Sequence, residues 1–169
     1  MTLPARAGSP YRIGFVCLGN ICRSPMADVI LSALVNRAGL ASKVEISSSG
    51  TGGWHVGEPM DPRAAVQLLA EGYDASGHRA QQFDESWHDL DLVLAMDAKN
   101  LADITGGRGA SEQVRLFRSF DPLIGPGAAP EALDVPDPWF GGDEGFTEVL
   151  AIIERTCRRL LTELEALGL

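Results

Sequence analysis

The sequence contains few cysteines and no long hydrophobic run. Three cysteines in 169 residues leave at least one thiol unpaired within a monomer, which excludes the disulfide framework of a small secreted domain. No stretch approaches the roughly 18 apolar residues of a membrane-spanning helix, and the N-terminal residues contain no apolar segment of signal-peptide length. We therefore predict a cytoplasmic protein with no membrane partner, while export without a signal peptide stays open.

Positive charge is also scarce. The chain has 14 Lys+Arg against 23 Asp+Glu, a net charge of -9. Such a charge repels polyanions at long range, so nucleic acid and anionic membranes are not expected partners. An anionic ligand would have to be held by a local concentration of hydrogen-bond donors and cations.

Short β-forming runs alternate with segments of helical period, which is typical of a parallel sheet with crossover helices. Strands are predicted at residues 12–17, 44–49, 90–96 and 114–117. Helical spacing occurs at residues 25–38, at 61–72, after Asp97, and from Asp143 onward. Asp97 and Asp143 are the expected N-caps of the last two helices. We predict an α/β fold: a single open four-stranded parallel sheet flanked by about five helices, forming one domain over residues 1–169 with residues 1–10 as a flexible N-terminal extension.

One long segment has no periodic pattern. Residues 120–142 contain five of the ten prolines of the chain. Loops of this length inside a compact domain are often lids or binding loops. We expect this segment to contribute to a ligand site.

The turn after the first predicted strand reads CLGNICRSP, from Cys17 to Pro25. Gly19 and Asn20 both tolerate positive φ, so the backbone can curl into an anion-binding nest. Ser24 is the expected N-cap of the following helix, whose N-terminus also favours an anion. Arg23 offers two donors to one phosphate, and these surroundings favour a Cys17 thiolate. The alternative is an ordinary strand-to-helix turn with a buried structural Cys17.

Other phosphate-binding signatures do not fit this turn. It has neither the Gly-Lys-Ser/Thr ending of a P-loop nor the three-glycine spacing of dinucleotide-binding folds. No cluster of cysteine, histidine and carboxylate residues has metal-ligand spacing. We expect no metal and no cofactor.

The segment VCLGNICRSPMAD resembles the signature of the low-molecular-weight protein tyrosine phosphatases, bacterial type, and SSSGTGGWHVGEPMDPRA, GHRAQQF, DLVLAMD and VPDPWFGGDEGF follow in family order. The resemblance extends from Tyr11 to about Leu164. It implies a phosphatase domain with a phosphate-binding loop after strand 1. It also implies roles for individual residues: Cys17 as nucleophile, Arg23 as phosphate clamp, Ser24 as donor to the thiolate, Asp137 as general acid, Leu18, Gly19, Asn20, Ile21 and Cys22 as substrate-binding loop residues, and Ser48 and His78 as supports of the loop through Asn20.

Hydrolysis of a phosphate ester also needs a proton for the leaving group. The long proline-rich segment carries Asp121, Asp134 and Asp137, and Asp137 lies between two prolines that restrict the backbone on either side. By itself, Asp137 is an ordinary turn aspartate. The resemblance favours it as the general acid, and the same carboxylate would later deprotonate the hydrolytic water.

Three large aromatic residues lie in predicted loops. At the positions of Trp54, Trp139 and Phe140, the family places residues that wall the cleft above the phosphate, where an aryl phosphate would stack. The family usually has tyrosine beside the acid, whereas this chain has Trp139 and Phe140. Relatives that act on phosphoarginine tend to carry threonine in the loop where this chain has Ile21. Tyrosine-phosphorylated proteins are the expected substrates, with inorganic phosphate as product and inhibitor.

Cys22 lies in the same loop as Cys17. It is either a small buried filler or, as the resemblance implies, the partner of Cys17 in a reversible disulfide formed under peroxide. Cys157 falls on the apolar stripe of the last helix and is predicted to be a core residue.

Two other function classes share features with this sequence. Thioredoxin-coupled arsenate reductases share the first-loop signature but need further cysteines in the middle of the chain, and residues 77–100 contain none. A phosphotyrosine-binding module without catalysis would be expected to lack Cys17 or the acid, and both are present. The sequence therefore favours a phosphatase.

Overall fold

A computed structural model describes residues 2–5 and 7–169 and places one parallel sheet at the centre of the molecule. The sheet has four strands in the order β2-β1-β3-β4, and every pairing is parallel. The strands are β1 (Tyr11–Cys17), β2 (Val44–Gly50), β3 (Leu92–Ala95) and β4 (Val114–Leu116). The predicted α/β fold with four parallel strands is confirmed.

The helices number fewer than expected. Across residues 2–5 and 7–169 the α-helices are α1 (Arg23–Arg37), α2 (Pro62–Ala70), α3 (Ala98–Thr105) and α4 (Asp143–Ala166), four rather than about five. Four short 3₁₀ helices lie in the connecting segments of the described residues, and two of them begin at Pro130 and Pro138. Proline suits the first turn of a helix, but Pro136 and Pro138 lack the backbone N–H groups that a helix continuing from Pro130 would need.

The two faces of the sheet are covered by different helices. On one face, alternate residues of β1 (Tyr11, Ile13 and Phe15) are fully buried in the core cluster that includes α1 and α4. On the other face, Val16 joins Val93 and residues of α3 in a second, smaller cluster. Because β1 is buried on both faces, its position is fixed by packing on two sides, and so is the start of the loop that follows it.

The strand order sets the position of a crevice. The chain leaves β1 for β2 on one side and later returns to β3 on the other, so the connections diverge at the carboxyl end of β1. Ligands of open parallel sheets bind at such a point. The loop after β1 also contacts the loop after β2, where the Thr51 and Gly52 N–H groups donate to the carbonyls of Cys17 and Leu18, each at 2.9 Å.

The N-terminal residues that the structure describes contact the domain. Leu3 is buried, the Tyr11 hydroxyl donates to the Pro4 carbonyl at 3.1 Å, and Arg115 donates to the Thr2 carbonyl at 2.9 Å. The division of the chain into one domain and an extension at residues 1–10 stays a prediction. Within residues 2–5 and 7–169, no helix is both long and apolar enough to cross a bilayer.

Candidate active site

The loop from Cys17 to Arg23 joins the end of β1 to the start of α1. Asn20 has φ 56°, so it adopts the left-handed conformation that the sequence predicted for it. Gly19 does not have positive φ, and its lack of a side chain serves another purpose: a Cβ there would lie 3.2 Å from His55 Cδ2. The curl of the loop therefore depends on Asn20, and a side chain at Gly19 would crowd the His55 ring of the neighbouring loop.

The start of α1 differs from the prediction. The helix begins at Arg23, Cys22 is its N-cap residue, and no side chain caps it. The prediction that Ser24 caps the helix is wrong because its hydroxyl points to the loop instead. Ser24 Oγ lies 2.9 Å from Cys17 Sγ, where the resemblance placed it, and accepts a hydrogen bond from Asn20 Nδ2 at 2.9 Å.

The Cys17 sulfur is held by two groups of the loop. The Asn20 backbone N–H donates to Sγ at 3.3 Å, and Ser24 Oγ lies 2.9 Å from Sγ, where either atom can be the donor. Ser24 Oγ also donates to the Ser49 carbonyl at 3.2 Å. These contacts fix the sulfur at the carboxyl end of β1.

The Arg23 side chain is only 3% exposed. Groups from two other segments of the chain hold it in place. Its Nη1 lies 2.6 Å from Asp97 Oδ2 and donates to the Val135 carbonyl at 3.0 Å, while Nη2 lies 3.4 Å from Asp137 Oδ2. Burial lowers the pKa of Arg23, but Cys17, Asp97 and Asp137 outweigh that effect and the net shift is upward. The guanidinium is therefore charged and fixed beside Cys17.

Sequence reasoning missed Asp97 as a site residue and identified it only as a helix cap. That role is confirmed, because Asp97 Oδ1 accepts from the Asn100 N–H at 2.7 Å. A signal was nevertheless present in the sequence. Asp97 follows β3, which neighbours β1 in the sheet, and the carboxyl ends of adjacent parallel strands meet at one edge.

The three predicted supports of the loop are brought together. Asn20 Nδ2 donates to Ser48 Oγ at 3.0 Å, and Asn20 Oδ1 accepts from the Gln81 N–H at 2.9 Å. His78 Nε2 lies 2.7 Å from the Asn20 carbonyl oxygen. Burial lowers the pKa of His78, so the neutral ring donates from Nε2 to this carbonyl. Asn20 is thus held in its unusual conformation from three directions, including one that the sequence did not indicate.

Of the three candidate acids, only Asp137 lies at the cleft. Its Oδ1 accepts from the Trp139 N–H at 3.1 Å in the turn formed by Pro138–Phe140. Asp134 accepts instead from the Ala98 N–H at 2.8 Å. Asp121 is fully buried between Arg118 and Arg155; burial raises its pKa, but the hydrogen bonds from these arginines and from a backbone N–H lower it by more.

A cleft of about 180 Å³ opens above Cys17. Its walls include the three predicted aromatic residues: Trp54, Trp139 and Phe140 are 71%, 42% and 86% exposed. The full lining consists of Cys17, Leu18, Gly19, Ile21, Cys22, Arg23, Trp54, His55, Asp137, Trp139 and Phe140. His55 was not predicted; its ring lies 5.9 Å from that of Trp139. Asn20, Ser24, Ser48 and His78 are not part of this lining.

All three cysteines are free and buried. Burial, followed by the charge of Asp61, raises the pKa of the Cys22 thiol. Cys157 is fully buried in α4, as predicted, and burial raises its pKa well above the usual value. Within the described part of the chain, no group of three or more histidine, cysteine or carboxylate residues is arranged to hold a metal ion.

Residues 12–167 match the family model described as "Low molecular weight phosphotyrosine protein phosphatase". The chain is 47% identical over 155 residues to a low molecular weight protein-tyrosine-phosphatase of Streptomyces coelicolor, covering 89% of this chain and 92% of the relative. It is 44% identical over 146 residues to protein-tyrosine phosphatase A of Mycobacterium bovis, covering 86% of each.

Solved structures agree with these sequence relatives. The crystal structure of YfkJ from Bacillus subtilis superposes with a TM-score of 0.83 at 33% identity and covers 95% of this chain and 98% of that one. A protein tyrosine phosphatase from Entamoeba histolytica, with Hepes in its active site, gives a TM-score of 0.81 at 30% identity and covers 94% and 99%. The chain belongs to the low molecular weight protein-tyrosine-phosphatase family, and it is an enzyme of that class.

Proposed function

We propose that this enzyme hydrolyses phosphotyrosine in proteins through a cysteinyl-phosphate intermediate, with Cys17 as nucleophile, Arg23 as phosphate clamp, and Asp137 as general acid and base. The observation that carries the proposal is the convergence of a thiol, a guanidinium and a carboxylate on one cleft: Cys17 and Arg23 lie at the two ends of the loop after β1, and Asp137 comes from the long proline-rich segment. Displacement at phosphorus needs a nucleophile, charge stabilisation and a proton donor, and these groups supply one each.

In the first step, the Cys17 thiolate attacks phosphorus, an S–P bond forms, and the bond from phosphorus to the tyrosine oxygen breaks. The protonated Asp137 carboxyl donates its proton to the departing oxygen, so the product is neutral tyrosine. Arg23 can offer two N–H donors to the phosphoryl oxygens, where negative charge is concentrated. Because Asp97 already fixes its Nη1, little reorganisation of the arginine is needed during the reaction.

In the second step, water attacks the phosphorus of the cysteinyl-phosphate. Asp137, now a carboxylate, accepts a proton from that water, and the S–P bond breaks to release phosphate and regenerate the thiolate. Ser24 Oγ, 2.9 Å from Sγ, can donate to the leaving thiolate. Inorganic phosphate occupies the same loop as the substrate phosphate, so we expect it to inhibit as a competitor as well as being the product.

The aromatic walls support phosphotyrosine as the substrate. Trp54, Trp139 and Phe140 stand around the mouth of the cleft, and their exposed faces offer stacking surface for an aryl ring. A phosphoserine side chain lacks such a ring and gains nothing from these walls. Matched peptides that carry phosphotyrosine or phosphoserine test this point: kcat/KM should be higher for phosphotyrosine, and equal values would remove the proposed role of the walls.

The role of Asp137 is tested with two leaving groups. Asp137→Ala should lower kcat/KM for phenyl phosphate about 10²-fold or more, the usual contribution of general acid catalysis. The loss should be smaller for p-nitrophenyl phosphate, whose leaving group needs less protonation. Asp134→Ala is the matched control, because Asp134 belongs to the same loop but contacts Ala98 instead of the cleft. Equal losses in the two variants would contradict the assignment.

The position of Cys157 favours a phosphatase over a thioredoxin-coupled arsenate reductase. Cys157 is fully buried in α4, so it is not positioned to relay a disulfide from Cys17.

The position of Cys22 supports a response to oxidation, because Cys22 lines the same cleft as Cys17. We propose that peroxide oxidises the Cys17 thiolate to a sulfenic acid, which condenses with the Cys22 thiol to a disulfide and releases water.

Activity lost to peroxide should return with dithiothreitol in the native enzyme and should return less fully in Cys22→Ser. Because the nucleophile must stay reduced to act, we propose the cytoplasm as the working compartment.

A further inference from the structure

Arg63, near the start of α2, reaches from that helix to the turn that carries the candidate general acid. Its guanidinium lies over the Phe146 ring at 4.6 Å and over the Trp139 ring at 5.5 Å. Nη1 is 3.5 Å from the Trp139 carbonyl oxygen and 3.4 Å from that of Gly141. One side chain therefore contacts the main chain on both sides of Phe140.

The other side of the Arg63 guanidinium is paired with Asp61. Nε lies 3.2 Å from Asp61 Oδ1, and Nη2 lies 3.0 Å from Oδ2, a two-point ion pair. Burial raises the pKa of Asp61, but the hydrogen bonds from Arg63 outweigh burial and the net shift is downward. The Asp61 backbone N–H donates to the Ile21 carbonyl at 2.9 Å. Asp61 is thus fixed to the phosphate-binding loop.

These contacts form a connection from the phosphate-binding loop to the acid. It runs from Ile21 through Asp61 and Arg63 to the Trp139 carbonyl, and the Trp139 N–H in turn binds Asp137 Oδ1 at 3.1 Å. The turn itself projects into solvent, since Phe140 is 86% exposed and Trp139 is 42% exposed. A turn of this kind needs a tether if its carboxyl is to stay in one position.

We propose that Arg63 is a positioning residue for Asp137: it holds the acid-bearing turn against the phosphate-binding loop and so sets the efficiency of proton transfer to the leaving group. The proposal rests on the function proposed above. Arg63 does not line the cleft, and its donors are occupied by Asp61 and two carbonyls, so it acts through the turn and does not touch the substrate.

Arg63→Met, which keeps the apolar stem and removes the fork, separates positioning from simple stability. It should lower kcat/KM about 10-fold for phenyl phosphate and much less for p-nitrophenyl phosphate, because a displaced acid matters most when the leaving group is poor. Arg63→Lys keeps a charge beside Asp61 but cannot also reach both carbonyls. It should likewise lose more kcat/KM for phenyl phosphate than for p-nitrophenyl phosphate, by a smaller factor. A purely structural role would lower both rates equally.

A double-mutant cycle with Asp137→Ala gives the decisive comparison. If Arg63 acts through Asp137, Arg63→Met should change kcat/KM less than about 2-fold in the Asp137→Ala background. Arg37→Met is the matched control, because Arg37 also stacks on an aromatic ring, that of Tyr73, outside the cleft. It should leave both rates unchanged.

The outcomes separate this proposal from the function on which it rests. If Asp137→Ala is impaired and the Arg63→Met loss persists at full size in that background, positioning by Arg63 is overturned and the acid assignment survives. If Asp137→Ala is not impaired, the acid assignment fails and this proposal fails with it. Arg63→Lys provides the same test should Arg63→Met fold poorly.

Discussion

Asp97 Oδ2 lies 2.6 Å from Nη1 of the buried Arg23, while its other oxygen caps helix α3 through the Asn100 N–H. One carboxylate at the end of β3 therefore fixes both a helix and the guanidinium that faces Cys17. Without this partner, Arg23 would be a buried charge held only by Asp137 and a carbonyl, and leaving a buried charge without its partner is costly. Asp97 thus links the stability of the fold to the geometry of the candidate active site.

Asp97→Ser should separate these two roles. Serine is a good N-cap, so α3 should persist, but the shorter side chain cannot reach Arg23. We expect kcat/KM for p-nitrophenyl phosphate to fall about 10-fold or more, because small displacements of a positioning group cost this much. Asp84→Ser is the control, since Asp84 caps a 3₁₀ turn elsewhere in the chain. Activity in Asp97→Ser equal to that of Asp84→Ser would show that the ion pair does not matter for turnover.

Gly50 at the end of β2 is required by the close approach of the phosphate-binding loop. A Cβ at this position would lie 2.7 Å from the Leu18 carbonyl oxygen and 3.0 Å from the Asn20 nitrogen, both of them main-chain atoms. Gly50→Ala should therefore shift the loop and lower kcat/KM by about 10²-fold, together with the melting temperature. Gly77→Ala, where a Cβ meets nothing within 4 Å, should change neither quantity. Full activity in Gly50→Ala would contradict such a close approach of the loop to β2.

Asp28 in α1 provides a pH-dependent stability prediction. Burial raises its pKa to about 6 from an ordinary 3.8, despite hydrogen bonds from Ser32 and Ser48 that oppose the shift. Because the folded state disfavours the carboxylate, stability is lost as the pH rises from about 4 to about 6, and Asp28→Asn avoids that loss.

Urea unfolding of both proteins at two pH values measures the effect. Relative to the native protein, Asp28→Asn should gain about 1 kcal/mol more at pH 7.5 than at pH 5.0, since one pKa unit corresponds to about 1.4 kcal/mol. A difference between the two proteins that does not change with pH would show that burial does not shift this carboxyl. Asp74→Asn is the control, because Asp74 and Asp28 line the same surface groove. Backbone and side-chain hydrogen bonds with Ser76 lower the pKa of Asp74, so Asp74→Asn should gain no stability over the native protein between pH 5.0 and pH 7.5.

The sheet was predictable because its signal is local. Each strand lies in a short run that contains β-forming residues, and Tyr11–Cys17 and Val44–Gly50 differ from the predicted ranges by one residue at one end. Helix starts were less certain: Asp97 caps α3 as expected, whereas Gly142 and not Asp143 is the N-cap residue of α4. The prediction that Ser24 caps α1 was wrong because a serine before a proline is a common capping signal, whereas the partner of this hydroxyl is a thiol seven residues away.

The site was predictable only in part because its contacts connect distant segments. The sequence alone could not separate Asp137 from Asp121 and Asp134; in the structure the other two bind elsewhere. Asp97 and Arg63 carry no local signal for their contacts with Arg23 and Trp139, which are 74 and 76 residues away along the chain. Such partners become visible only when the strand order and helix packing are known.

The proposed mechanism needs Cys17 as the nucleophile and needs no added metal. The most direct measurement is hydrolysis of p-nitrophenyl phosphate by EDTA-treated native enzyme and by Cys17→Ser, with Cys157→Ser as the control for loss of a thiol outside the cleft. We expect turnover by the native enzyme and by folded Cys157→Ser, and none above background by Cys17→Ser. Native enzyme that is no faster than Cys17→Ser would contradict the role of Cys17.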